Sequence, residues 1–98
     1  MNLSQKLQKE IEESKLWLCR ENEESTYTRE LKRRIELINW VLDSVRNHDN
    51  QICNRIESKM QEIILTINQT HLIIESDKLL SELRILNWIL YQVSNNKR

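Results

Sequence analysis

The chain has 98 residues, with 15 basic and 15 acidic side chains, two cysteines, no glycine and no proline. The missing glycines exclude phosphate-cradling Gly-rich loops and disfavour tight two-residue β-hairpins, whose turns need positive φ. Charge balances in each half as well, nine of each sign in 1–48 and six in 49–98. Global electrostatics therefore gives no pull toward nucleic acid or an anionic membrane.

Four helices are predicted in chain order. The first covers 3–21, with an apolar stripe Leu3, Leu7, Ile11, Ser14 and Leu18; Ser4 is its candidate cap. The second covers 26–46, capped by Ser25 or Thr26, with Leu31, Ile35, Ile38, Leu42 and Val45 in the 4-3-4-3 steps of a heptad seam. Glu23 and Glu24 precede it, where the helix dipole favours negative charge. The third covers 51–69, capped by Asp49 or Asn50, with Ile52, Ile56, Met60, Ile63 and Ile67 inward. The fourth covers 76–94, capped by Ser76 or Asp77, with Leu79, Leu83, Leu86, Leu90 and Val93 inward. Asn47 and Asn95 are candidates for the left-handed helix stop that glycine usually holds. The β-branched run from Ile63 to Ile74 could also suit a strand.

These segments repeat. Ile38-Asn39-Trp40 recurs as Leu86-Asn87-Trp88 at an offset of 48, and the first stripe recurs in the third at an offset of 49. The two copies span 3–47 and 52–95 of one helical domain. The change of offset falls most easily in a turn between the paired helices. At about 100° per residue, the stripes of the first and second helices differ in phase by roughly 120°, more than heptad drift across a short gap produces. The expected fold is all-α: a four-helix bundle made of two duplicated hairpins. The alternative is two long helices in an antiparallel coiled coil, which the lack of glycine and proline would permit.

Two surface features carry functional expectations. Leu37, Trp40 and Val41 lie away from the seam of the second helix, and Ile85, Trp88 and Ile89 are their counterparts in the fourth. They serve either as the wide edge of a core or as an interface. Tryptophan is a favoured hot-spot residue, and a chain of this size has little capacity to enclose both faces. Leu16 and Cys19, opposite the first stripe, add weakly to an interface. The leading expectation is thus a protein–protein interaction module that forms homo-oligomers and binds a protein partner. Arg29, Lys32, Arg33 and Arg34 form a basic cluster at the start of the second helix, which the fourth helix lacks. It could hold an anionic ligand or nucleic acid, unless Glu21, Glu23, Glu24, Glu30 and Glu36 neutralise it.

No enzyme is expected, and no cofactor or metal. Glu10, Glu12 and Glu13 lack the Glu-x-x-His pattern of bundle metal sites. His48 and His71 fall at predicted turns. Cys53 reads as a small core residue; with Cys19 it lacks CxxC spacing, which suits a reducing, cytoplasmic setting. No basic segment followed by a long apolar run marks a signal peptide, and the apolar runs (Ile63-Ile64-Leu65, Leu72-Ile73-Ile74) are too short to span a bilayer. In size and class, though in no shared motif, the chain resembles small helical phage and plasmid products that inhibit host machinery.

Overall fold

The computed structural model describes residues 2–21, 23–48, 50–69 and 73–96, with the side chains of 73–75 and 96 outside that description. It is all-α, with four helices: α1 (Leu3–Arg20), α2 (Thr26–Arg46), α3 (Ile52–Gln69) and α4 (Ile73–Asn96). α1 packs on α2 and α3 on α4. The chain forms two compact units, Met1–Asp49 and Asn50–Arg98, one hairpin in each. Two long continuous helices are not what forms, because α1 stops at Arg20 and α3 at Gln69. The segment Ile63–Gln69 is helical, not strand; of the rest of that β-branched run, Thr70–Leu72 lie outside the described residues.

In the first hairpin, α1 starts from Asn2 rather than Ser4. The Asn2 side chain accepts the Gln5 N–H at 2.8 Å, and the Asn2 N–H donates to Gln5 Oε1 at 3.1 Å. This reciprocal box satisfies two otherwise orphaned donors and leaves Ser4 inside the first turn. Ser25 starts α2 in the same way. Its Oγ accepts the Thr28 N–H at 3.2 Å while its own N–H donates to Thr28 Oγ1 at 2.8 Å. Thr28 is buried, so the cap also anchors the turn to the core. At the other end Asn47 caps α2 with φ −89°, and the left-handed position falls one residue later, on His48 (φ 56°). Leu3, Leu7 and Ile11 of α1 and Leu31, Ile38 and Leu42 of α2 are buried; Leu18, Ile35 and Val45 are half-buried. Ser14 lies among them, buried, where α3 carries Ile63.

The second hairpin uses the equivalent positions. Ile52, Ile56 and Ile63 of α3 and Leu86 and Val93 of α4 are buried, with Met60, Ile67, Leu79, Leu83 and Leu90 half-buried. Cys53 is half-buried. α4 begins at Ile73, so Ser76 and Asp77 lie within the helix instead of capping it, and Asn95 lies inside its last turn. α3 begins at Ile52, so Gln51 and not Asn50 immediately precedes it; the other expected cap, Asp49, falls outside the described residues, as does His71. Each buried Leu or Ile stabilises the fold by roughly 1.5–3 kcal/mol relative to exposure. The seams thus hold the hairpins, and the caps set where α1 and α2 start.

Candidate interaction surfaces

At about 100° per residue, Val41 and Ile89 lie roughly 80° around their helices from the seam, Leu37 and Ile85 roughly 120°, and Trp40 and Trp88 nearly opposite it. On α2, Leu37 is 2% and Val41 0% exposed, and Ser44, whose Oγ donates to the Trp40 carbonyl at 3.2 Å, is also buried. On α4, Ile85 is 6% and Ile89 0% exposed. The two indoles, Trp40 and Trp88, are half-buried, and Asn39 and Asn87 beside them are exposed. Of the six residues expected to form an outward face, four are therefore covered within the chain. The tryptophans alone keep a partly accessible surface.

The most exposed apolar side chains lie elsewhere. In the first hairpin they are Leu16 (59%), Trp17 (51%) and Tyr27 (45%), all close to the 21–25 connection. The Arg20 guanidinium stacks over the Trp17 ring, 5.0 Å from its centroid. Cys19 is exposed nearby. In the second hairpin they are Tyr91 (63%), Leu65 (59%), Leu80 (42%) and Ile64 (38%). Leu65 lines a shallow, open groove of about 830 Å³ together with Met60, Ser58, Gln61 and Leu90. Leu16 and Leu65 are equivalent in the repeat, so both α1 and α3 turn a leucine outward at the same register. Leu16 was visible in the sequence as an off-stripe residue. Trp17 and Tyr27 were not singled out, although Trp17 also falls outside the Leu3–Leu18 stripe.

The basic cluster is engaged by carboxylates. Arg34 Nη2 donates to Glu10 Oε1 at 2.6 Å, and both side chains are only 27% exposed. Arg33 pairs with Glu36 at 2.9 Å, and Lys32 with Glu24 at 3.4 Å. Arg29 is exposed and forms no ion pair among the described residues. Glu24 and Glu36 were foreseen as neutralising partners. Glu10 was not, because it reaches across from α1, which sequence spacing alone does not reveal. The exposed pairs contribute little, about 0–1 kcal/mol each; the Glu10–Arg34 pair, half shielded and crossing between helices, is the strongest of the set.

The glutamates of α1 are also spoken for. Glu12 accepts from Gln8 at 3.4 Å and Glu13 pairs with Lys9 at 3.9 Å. Among the described residues, no three His, Cys, Asp or Glu side chains gather as a metal site. His48 is exposed in its turn. No described helix is long and apolar enough to cross a membrane. No protein family, no curated protein and no solved structure matches the chain.

Proposed function

We propose that this protein is a helical interaction module, acting by binding another protein surface and by self-association, and not an enzyme. One observation carries the reading: Leu16, Trp17 and Tyr27 are each exposed on the turns of α1 and α2 that flank the 21–25 connection, with Arg20 stacked on the indole. Trp, Tyr and Arg are the residue types that dominate interface hot spots. The half-buried Trp40 and Trp88 extend the accessible aromatic surface. Leu37, Val41, Ile85 and Ile89 are buried and so offer no surface to a partner. A cytoplasmic setting fits the two free thiols, Cys19 and Cys53.

Size-exclusion chromatography with light scattering over a wide concentration range tests the reading. The expected result is a mass above that of one chain that rises with concentration. Trp17→Ala with Leu16→Ala should weaken the association at least about 30-fold, the effect of losing a hot spot of roughly 2 kcal/mol. A chain that stays monomeric at every concentration, and retains an unaltered set of bound proteins when Trp17 and Leu16 are replaced, would rule the module out.

The anionic-ligand reading has less support, since Lys32, Arg33 and Arg34 already face carboxylates. It rests on Arg29 and would show as binding to a nucleotide or to nucleic acid that weakens steeply with salt.

A further inference from the structure

Glu10 and Arg34 join α1 to α2 at 2.6 Å. The repeat equates Glu10 with Lys59 of α3 and Arg34 with Glu82 of α4. Both members of the pair are therefore replaced by the opposite charge. On α1 and α3 this is selective: Lys6 and Glu13 keep their sign as Arg55 and Glu62, and Glu10 to Lys59 is the one position of that helix pair where the sign reverses. Lys59 is half-buried, Glu82 is 8% exposed, and neither is without an interaction partner.

A duplicated hairpin faces a pairing problem. The seam of α2 fits the seam of α3 nearly as well as that of α1, because the two carry apolar residues at equivalent positions. The connection over 47–51 is as short as that over 21–25, so α2 could fold back onto either neighbour. α1 would then be left to α4. Hydrophobic burial, being non-directional, does not separate these arrangements. The charges do. Folded onto α3 in the same register, α2 brings Arg34 against Lys59; α1 on α4 brings Glu10 against Glu82. Both are like-charge contacts in partly buried surroundings, where the Coulomb term is much larger than in water.

We propose that Lys59 and Glu82 form the sign-reversed counterpart of the Glu10–Arg34 pair, and that this reversal selects α1·α2 and α3·α4 pairing over the exchanged pairing. The two pairs act as a code: each is attractive only within its own hairpin.

The code can be erased while each hairpin keeps an opposite-charge pair at these positions. In Glu10→Lys/Arg34→Glu, or in Lys59→Glu/Glu82→Arg, both hairpins carry the same signs and the exchanged contacts become attractive. Combining all four substitutions restores opposite signs with every charge inverted. Pairing is read in the full chain with Cys19→Ser and Cys53→Ser, and with cysteine replacing Gln8, Arg46 and Glu57. Gln8 and Arg46 touch across α1 and α2 at 3.4 Å, and Glu57 is the equivalent of Gln8 on α3. A short bis-maleimide then reports the ratio of 8–46 to 46–57 cross-links. The expected result is a fall of about tenfold in each double exchange, the ratio set by roughly 1.4 kcal/mol of lost preference, and recovery in the quadruple exchange. Amide resonances should double in the double exchanges and return to one set in the quadruple. A ratio unchanged in the doubles, or a quadruple that does not recover, would overturn the proposal. Should a double exchange fail to fold, recovery of helicity in the quadruple still decides the matter.

Discussion

At the scale of single residues, the starts of α1 and α2 are set by side chains that answer backbone donors. Ser25 and Thr28 each accept the other's backbone N–H, and Thr28 Oγ1 also donates to the Ser25 carbonyl at 2.9 Å. Removing the Ser25 hydroxyl strands the Thr28 N–H in a part-buried turn. Ser25→Ala should therefore lower stability by about 1 kcal/mol, within the 0.5–2 kcal/mol range for cap loss, as read by urea denaturation. Thr28→Ala should cost more, because it loses its Oγ1 bonds and also leaves a small gap in the core. Equal costs for the two would place the effect in helix propensity alone. Residue-type preference places the cap of α1 on Ser4, yet Asn2 holds it, in the Asn-x-x-Gln spacing of a reciprocal cap. What separates them is Gln5, whose reach back to the Asn2 N–H only the three-dimensional turn makes evident.

Helices as elements were legible because their apolar spacing is regular. The first three helices fall within a residue of the bounds that spacing predicts. α4 begins three residues before its predicted start at 76. Ser76 and Asp77 have the residue types of caps, but they are the fourth and fifth residues of α4, where the nearby N-terminal dipole still favours Asp. The end of α2 differs for a related reason. Asn47 has the residue type of a left-handed stop, but it takes the bridging conformation and passes the positive φ to His48 (56°). A residue with a Cβ costs roughly 1–2 kcal/mol in that region. His48 is exposed, so no packing is lost by removing its ring. His48→Gly should raise stability by about 0.5–1 kcal/mol, the strain relief offset in part by a looser unfolded chain. His48→Val should lower it, since a β-branched side chain fits that φ worst. Thermal unfolding of both variants beside the parent would settle the order; destabilisation by glycine would mean that the imidazole makes a contact worth more than the strain.

At the scale of the whole molecule, the sequence carried the fold well and the surface poorly. Periodicity reports which positions face inward, so the seams, the hairpins and the repeat could be read directly. Which off-seam apolar residues stay exposed depends on three-dimensional cover, and a helical wheel cannot report it. Leu37 and Val41 lie off the seam and are buried, whereas Trp17, also off its stripe, and Tyr27 are exposed. The repeat makes one further quantity predictable. Leu7 of α1 and Ile56 of α3 are equivalent in register, and both are fully buried. Truncation of either to alanine removes similar apolar surface and leaves a similar void. Leu7→Ala and Ile56→Ala should each cost about 2–5 kcal/mol, a large share of the 5–15 kcal/mol typical of a domain. The two losses should agree within about 1 kcal/mol, with unchanged urea dependence, if the hairpins bury equivalent seams. A loss confined to one of them would mean that its counterpart relaxes to refill the void, and that the two hairpins, alike in sequence pattern, differ in how tightly their cores are packed.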